Sequence, residues 1–221
     1  MARAARTTGG PRRFVVATRS AHKLRELREL LGLAGAELLS LDDLAVDGEP
    51  VEDGATFEAN ARIKARFAAR ATGLPALADD SGIEVEALGG RPGVHTRRYA
   101  GPAATDADNN ARLLRELAGL PPERRGARYV CILTLAVPDP ESRGGLRLVS
   151  RRGTCRGRIA SMPRGTGGFG YDPIFEPAPE PPGGRTFGQY SAAEKHAVSH
   201  RARAARRMSA ALAGCDDVAA R

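Results

Sequence analysis

The segment from Leu74 to Gly82 is a short apolar run that ends in two carboxylates, a hydroxyl and a glycine. Such a run predicts a buried β-strand that delivers Asp79 and Asp80 to a turn at its C-terminal end. Successive strand side chains point to opposite faces, so the two acids cannot serve one site equally. A single Mg²⁺ ion would therefore take one of them as a ligand. The alternative is an ordinary turn that opens a hairpin with the alternating segment 83–86.

The composition limits the class of protein. With 221 residues, 42% hydrophobic and 27% charged, the chain fits one globular domain and excludes a disordered or fibrous protein. The three cysteines lack Cys-x-x-Cys spacing, which indicates neither a disulfide framework nor a zinc site and suits a reducing cytoplasm. No apolar run approaches the roughly 20 residues of a membrane span, and the N-terminus lacks a signal-peptide core. We therefore expect a soluble, cytoplasmic protein with no membrane partner.

The chain is strongly basic, with a formal net charge of +8 and a pI near 10.1. This charge favours a polyanionic partner, which is nucleic acid, a membrane surface or a phosphorylated small molecule. An arginine-rich composition that accompanies many alanines and glycines is the alternative explanation. Charge alone does not choose among these.

The chain divides into one domain and two short tails. Residues 1–13 hold four arginines and no acid, which predicts a disordered basic tail, with a transit peptide as the alternative. We expect the folded domain to span residues 14–213 and a C-terminal tail to cover 214–221. The domain opens with a predicted buried strand at 14–18 and a leucine-rich helix capped by Ser20.

Two lysines are expected to face inward from separate helices. A strand that feeds a helix N-terminus presents backbone amides to an anion, and Lys23 falls on the apolar side of the first helix. An acidic loop at 47–54 leads to a second helix over 56–72, where Lys64 lies in the apolar stripe and needs a polar partner. The alternative for Lys64 is a stem that passes the helix edge to reach water. The opposite side of this helix carries a solvated row: Arg62, Arg66 and Arg70.

The remaining pattern predicts a mixed sheet and a long last helix. Further strands are expected at 36–41, 129–137 and 146–155, and the last two form an antiparallel pair. A capping box opens a single helix over 191–213. Arg201 lies at the centre of its buried stripe, where a guanidinium needs an acceptor, either a structural carboxylate or a substrate carbonyl.

The segment 164–173 is dense in glycine, so the backbone has room to approach a ligand there, although a plain surface loop is the alternative. It also contains Phe169 and Tyr171 in a chain that is only 5% aromatic, and a purine needs a stacking surface. Three basic residues thus face inward, and two acidic stretches hold Glu52 and the Asp79-Asp80 pair. This is the layout of a metal–triphosphate site.

Five segments in order resemble the motifs of the inosine/xanthosine triphosphate pyrophosphatase family. They are Ala17–Lys23, Thr56–Ala65, Ala78–Gly82, Gly167–Pro173, and Glu194-Lys195 with Ser199–Arg201. The resemblance runs from about Phe14 to Ala213, and five ordered motifs are far more specific than any one. It implies an elongated, two-lobed α/β fold with a mixed β-sheet flanked by helices, a central substrate cleft and a homodimer.

The resemblance also implies an activity, namely hydrolysis of inosine, deoxyinosine and xanthosine triphosphates to the monophosphate and pyrophosphate with Mg²⁺. Its substrate is a small molecule, with no nucleic-acid partner. By position, Asp80 is the catalytic proton acceptor, and Glu52 and Asp80 are the magnesium ligands. The expected substrate-binding residues are Thr18, Arg19, Ser20, Ala21, His22, Lys23, Lys64, Ser81, Phe169, Gly170, Tyr171, Asp172, Lys195, His200 and Arg201.

The chain departs from the family pattern at two places. The first motif usually reads Thr-Gly-Asn or Thr-Asn-Asn, and here Arg19 and Ser20 follow the threonine; His196 stands where asparagine is frequent. Two other functions are considered: an RNA-binding module that uses the basic surface, and a pyrophosphatase of the Maf type that acts on modified pyrimidine nucleotides. The first would need recurrent surface aromatics, which the chain lacks, and would not need the acids.

Overall fold

The computed structural model describes residues 12–33 and 35–213. The described residues form six β-strands and five α-helices. In chain order they are β1 (Arg12–Val16), α1 (Ala21–Leu31), β2 (Ala36–Ser40), α2 (Phe57–Thr72), β3 (Ala76–Val85), α3 (Asp106–Glu116), β4 (Gly126–Pro138), β5 (Leu146–Ile159), β6 (Phe175–Pro177), α4 (Ala192–Val198) and α5 (His200–Ala213).

The strands make one mixed sheet in the order β2-β1-β3-β4-β5-β6. Strands β1, β2 and β3 are parallel, whereas β3 to β6 pair antiparallel. Helices α1 and α5 pack on one face of the sheet and α2 packs on the other. The predicted mixed α/β architecture is therefore confirmed.

The sheet face beneath α1 and α5 is interrupted by polar residues. One apolar cluster contains Leu77 of β3, and a second cluster contains Ile83 of the same strand. Between them on this face stand Asp79, which is 1% exposed, and Ser81. Because side chains alternate along a strand, Asp80 points to the opposite face, toward α2. A band of polar side chains thus separates two apolar cores.

The polar band coincides with an open strand edge. Strand β1 pairs with β3 only at Ala76 and Leu77. Farther along β3, side-chain and loop groups replace a strand as hydrogen-bond partners at this edge. There the Ile83 amide donates to Thr96 Oγ1 at 2.9 Å. Among the described strands, none pairs with the segment of β3 from Ala78 to Gly82 on this side. The sheet therefore opens where its two adjacent acids lie.

The helix ends follow the expected capping chemistry. The Ser20 side chain accepts from the Lys23 amide, and α1 ends at Gly32 in a left-handed conformation. The Thr56 side chain likewise caps α2, which ends at Gly73. The predicted cap of α1 at Ser20 and the predicted extent of α2 are confirmed.

The predicted turn at the C-terminal end of the Asp79-Asp80 strand was wrong. Strand β3 continues to Val85, and its antiparallel register with β4 is unbroken from Ala76 to Val85, so the acids lie in mid-strand. Gly82 is needed in the extended strand because a Cβ there would lie 2.8 Å from Phe57 and 2.3 Å from Thr96 Oγ1. Regular pairing on the β4 side outweighs the local turn preference of these residues.

The predicted single C-terminal helix is divided at Ser199, whose ψ of 157° is extended. The Ser199 hydroxyl accepts from the Ala202 amide at 3.2 Å. Serine caps the second helix more favourably than it continues the first. The break sets the direction of α5, which carries Arg201.

The first strand begins two residues before the predicted start of the domain. Arg12 and Arg13 belong to β1 and pair with β2. The rest of the predicted basic tail, the C-terminal tail and Cys215 lie outside the described residues. Cys131 and Cys155 are buried free thiols. Over residues 12–33 and 35–213, no helix is long and apolar enough to cross a membrane.

Gly153 of β5 allows α5 to pack very close to the sheet. A Cβ at this position would be 2.0 Å from the His200 carbonyl oxygen and 2.4 Å from the Ala204 amide nitrogen. Because both atoms are backbone, they cannot move aside as a flexible side chain would. We expect Gly153→Ala to lower the free energy of unfolding in urea by about 2 kcal/mol or more.

The matched control is Thr154→Ala, one residue along β5 on the opposite face, which removes atoms instead of adding them. It should change the free energy of unfolding by under about 1 kcal/mol. A Gly153→Ala variant as stable as the wild type would show that α5 does not lie against β5 at this point.

Candidate active site

Two clusters of charged side chains flank the open part of β3. On the first face, Asp79 is fully buried and joins two helices: Lys23 Nζ of α1 lies 2.5 Å from Asp79 Oδ1, and Arg201 Nε of α5 lies 3.2 Å from Oδ2. Ser81 and Cys131 also donate to the Asp79 carboxylate. Burial alone would raise the pKa of Asp79, but the charges of Arg201 and Lys23 outweigh it and hold that pKa well below its usual range.

A second carboxylate completes this first cluster. Glu26 of α1 contacts Lys195 Nζ at 2.9 Å through Oε1, and it pairs with Arg201 through Oε2. The pKa of Glu26 is lowered, because the charges of Arg201 and Lys195 outweigh the effect of burial. Each of the three guanidinium nitrogens of Arg201 therefore has a partner within the chain, in Asp79, Glu26 or Ser81. Of the two acceptors expected for Arg201, a structural carboxylate or a substrate carbonyl, the structure shows the carboxylate.

Sequence reasoning did not identify Glu26. The available signal was its position one helical turn after Lys23, which places the two side chains on the same side of α1. Cys131 was also missed as a neighbour of Asp79. Its position became informative only with the register of β3 and β4, in which Ser81 is paired with Cys131.

Lys195 links the first cluster to the glycine-rich segment. Its ammonium lies 2.7 Å from Asp172 Oδ2 and 4.8 Å from the centroid of the Phe169 ring. Phe169 also stacks on His22 of α1, with 5.4 Å between centroids and 24° between ring planes. Four predicted substrate-binding side chains thus meet around one aromatic surface at the start of α1.

The rest of the glycine-rich segment is anchored to the fold. The Gly170 amide donates to Asp106 Oδ2 at 2.6 Å. The ring of Tyr171 is buried in the second apolar cluster, and its hydroxyl donates to the Thr96 carbonyl at 2.9 Å. The Tyr171 side chain is therefore part of the core, in contrast to Phe169, because the two residues point in different directions from the loop.

The turn before α1 is built from short hydroxyl side chains. Thr18 Oγ1 accepts from the Ser20 amide at 3.1 Å, and Ser20 caps the helix. Ala21 and His22 form the first turn of α1, whose first backbone amides have no acceptor within the helix. The Arg19 side chain contacts the loop that follows β2.

On the opposite face, Asp80 faces α2. Lys64 Nζ lies 2.7 Å from Asp80 Oδ1 and 3.1 Å from Glu52 Oε2. Burial raises the pKa of Asp80 even though the nearby charge of Lys64 acts to lower it. Burial would lower the pKa of Lys64, but Asp80 and Glu52 outweigh it and raise that pKa. Both expected metal ligands therefore share one ammonium group.

This arrangement tests whether the residues fit a magnesium ion. Glu52 and Asp80 already hold one positive charge between them, that of the Lys64 ammonium. Their ligand atoms are hard oxygens, and Mg²⁺ typically uses one or two carboxylates while water and phosphate oxygens complete its shell. Glu52 is part-exposed, which leaves room for such ligands. The residues present fit the ion.

The prediction that Lys23, Lys64 and Arg201 face inward is confirmed, and so is the solvated row on α2. Lys64 contacts two carboxylates, whereas Arg62, Arg66 and Arg70 are exposed. The structure brings the predicted residues into two groups, one on each side of β3. They comprise Lys23, Ser81, Phe169, Asp172, Lys195 and Arg201 on one face, and Glu52, Lys64 and Asp80 on the other.

These features define an α/β protein whose sheet carries clustered cations beside an open strand edge, together with two carboxylates whose oxygens fit a divalent metal. Within this class, the model of the Ham1 family matches residues 14–211. The chain belongs to the Ham1 family.

Similar proteins agree with this assignment. The dITP/XTP pyrophosphatase of Syntrophobacter fumaroxidans is 50% identical over 191 residues, which cover 86% of this chain and 78% of that protein. The dITP/XTP pyrophosphatase of Nocardia farcinica is 49% identical over 208 residues, covering 93% and 97%. Among solved structures, a HAM1 protein from Coxiella burnetii superposes with a TM-score of 0.80 at 38% identity, over 92% of this chain and 99% of the other.

The buried His200 is expected to make the stability of the protein depend on pH. Its ring is 4% exposed, stacks on Tyr129 with 4.5 Å between centroids, and has an Nδ1 atom with no partner among the described residues. Burial, aided by Arg201, Lys195 and Lys23 and opposed by Asp79, holds the pKa of His200 well below its usual value.

Because its folded pKa is lowered, His200 binds protons more readily in the unfolded chain. Stability from this residue is complete above the unfolded pKa of about 6.5 and falls at lower pH by up to about 1.4 kcal/mol per pH unit. We expect thermal unfolding between pH 7.5 and 5.5 to show this slope, and His200→Gln to reduce it. His95→Gln, at an exposed position, should leave it unchanged. Equal slopes in wild type and His200→Gln would contradict the assignment.

Proposed function

We propose that this chain hydrolyses non-standard purine nucleoside triphosphates, such as deoxyinosine, inosine and xanthosine triphosphates, to the monophosphate and pyrophosphate. The observation that carries the proposal is the position of two lysines, Lys23 and Lys64, on opposite sides of the open edge of β3. The carboxylates of Glu52 and Asp80 lie next to Lys64. Triphosphates need such cations, and their hydrolysis needs a divalent metal. The relatives named dITP/XTP pyrophosphatase share about half of the aligned residues, which supports this substrate class.

Glu52 and Asp80 would hold Mg²⁺. When bound, the ion supplies charge stabilisation to the phosphate oxygens. The arrival of a triphosphate gives Lys64 new anionic partners, so its ammonium group can move from the two carboxylates to the phosphates. Lys23 can do the same on the other face, where its side chain is 20% exposed. Both ammonium groups then neutralise the leaving pyrophosphate.

Asp80 is the proposed proton acceptor for the water that attacks the α-phosphorus. Its raised pKa brings it closer to the working pH than an ordinary aspartate, which favours a general base. The attack breaks the bond between the α- and β-phosphates. The water oxygen stays with the monophosphate, and the bridging oxygen leaves with pyrophosphate.

The base is proposed to bind beside Phe169, where Lys195 and Arg201 lie within 6 Å of the ring. These cations suit a purine with an oxygen at C6, because an amino group there would place donor against donor. Asp79 and Glu26 hold Arg201 in place, so base contact would use its remaining donor capacity. The homodimer and the cytoplasmic location remain predictions.

A substrate panel tests the proposal. Pyrophosphate release is measured from inosine, xanthosine, guanosine, adenosine and uridine triphosphates, with Mg²⁺ and with excess chelator. We expect turnover of the first two only, and only with the metal. In ¹⁸O-labelled water, the label should appear in the monophosphate. Preference for a pyrimidine nucleotide would favour the Maf-type alternative, and no turnover of any would favour a binding protein.

Asp80→Asn keeps the shape of the side chain but removes the charge that accepts the proton. Losing a general base lowers turnover by roughly 10²- to 10⁴-fold, so we expect at least that loss of kcat for inosine triphosphate. Circular dichroism and the unfolding midpoint should show an intact fold. Retention of more than about a tenth of wild-type activity at saturating Mg²⁺ would exclude this role.

Lys64 and Arg66 form a matched pair on α2. They are two residues apart, so they point to opposite sides of the helix, and only Lys64 reaches the carboxylates. We expect Lys64→Ala to lower kcat/KM at least about tenfold, equivalent to roughly 1.4 kcal/mol. Arg66→Ala should remain near wild type. Equal losses would indicate diffuse surface electrostatics instead of a specific contact.

A further inference from the structure

Arg19 occupies a position where the family motif has a small or amide residue, and its side chain contacts the loop that follows β2. Its Nη2 donates to the carbonyl oxygens of Val46 and Gly48, each at 3.0 Å. Its Nε lies 3.2 Å from Glu49 Oε1, and Nη1 pairs with Asp42. One guanidinium thus ties the turn before α1 to the loop that follows β2.

This loop continues directly to Glu52, and it has little structure of its own. In the described chain, residues 47–53 make no backbone–backbone hydrogen bond. Val51, next to Glu52, is 79% exposed. At the far end, the Gly54 amide donates to Asn60 Oδ1 at 2.8 Å. Arg19 and Asn60 therefore anchor the two ends of the segment that carries the Glu52 carboxylate.

The chemistry of arginine explains why this residue can anchor the loop. Its planar guanidinium has five N–H donors, so it can bind two carbonyl oxygens and two carboxylates at once. Neither glycine nor asparagine can do this. A segment already held near its bound conformation gives up less conformational freedom when a ligand arrives.

We propose that Arg19 is a positioning residue that pre-orients Glu52 for the divalent cation. It acts through the loop at 46–49 and does not touch the metal or the substrate. The inference rests on the proposed function, because it takes Glu52 as a ligand of that cation. Arg19 also belongs to the turn that leads to Lys23, so the loop before Glu52 is tied to the start of α1.

Arg28 provides a matched control. It also belongs to this region, donates to the Leu38 carbonyl at 3.0 Å and lies 3.7 Å from Asp43, the neighbour of Asp42. Arg28 makes no hydrogen bond or ion pair with residues 46–49 in the described chain. Its removal therefore deletes a similar surface arginine without releasing the loop that leads to Glu52.

The test uses the full chain without nucleotide and measures Mn²⁺ affinity by electron paramagnetic resonance of the free ion. Arg19→Ala should weaken Mn²⁺ binding roughly tenfold, the usual effect of losing an outer residue that orients a ligand. Arg19→Lys should be intermediate, because an ammonium group cannot span all the acceptors. Arg28→Ala should match wild type. Hydrogen exchange of the 47–53 amides should be faster in Arg19→Ala alone.

Kinetics separate positioning from substrate contact. For Arg19→Ala, the Mg²⁺ concentration for half-maximal activity should rise, while kcat at saturating Mg²⁺ stays within about twofold. Unchanged Mn²⁺ affinity with a raised KM for the nucleotide would overturn the inference and make Arg19 a substrate-binding residue.

Glu52→Gln distinguishes the two levels of the argument. If it loses Mn²⁺ affinity while Arg19→Ala does not, the positioning role fails and the proposed metal site stands. If Glu52→Gln binds Mn²⁺ as wild type does, Glu52 is not a ligand, and the metal site and the inference fall together.

Discussion

The site depends on the buried ion pair between Asp79 and Arg201. These charges lie in the middle of the fold, and they hold β3, α1 and α5 together through Lys23 and Glu26. Burying charges carries a large desolvation penalty, and breaking such a pair by removing one partner typically costs about 3 to 5 kcal/mol. An apolar pair of similar volume would be at least as stabilising. The cluster is therefore better explained by its position beside the open edge of β3 than by stability.

The open edge of β3 lies beside this buried cluster. Because β1 pairs with β3 only at Ala76 and Leu77, the acids that follow lie on an unpaired edge. Alternation along the strand then sends Asp79 to one face and Asp80 to the other. Asp79 meets the cations Lys23 and Arg201 on one face, and Asp80 meets Lys64, which also contacts Glu52, on the other. A single strand segment thus organises both halves of the site.

The sequence predicted those parts of the site that depend on local periodicity. Helical phase placed Lys23, Lys64 and Arg201 on inward faces, and the capping residue Ser20 located the start of α1. It failed for the Asp79-Asp80 turn, because the continuation of β3 depends on long-range pairing with β4. It also failed at Ser199, where two competing local preferences had to be resolved.

Other features could not be predicted because they depend on the path of a loop. Arg19 was expected to bind substrate from its place in a motif, yet the structure places its guanidinium against carbonyl oxygens some 27 to 29 residues away in the chain. Glu26 was missed for a different reason: its spacing from Lys23 placed both residues on one side of α1, but its partners Lys195 and Arg201 are distant in sequence.

The central claim is that adjacent aspartates on one strand have different tasks, and a paired comparison tests it most directly. Asp79→Asn and Asp80→Asn are each measured for Mn²⁺ affinity and for the free energy of unfolding. The account predicts that Asp80→Asn loses metal affinity and keeps its stability, whereas Asp79→Asn binds Mn²⁺ normally where folded but is destabilised by about 3 kcal/mol or more. Equal loss of metal affinity in both variants would contradict the division of tasks between the two faces of β3.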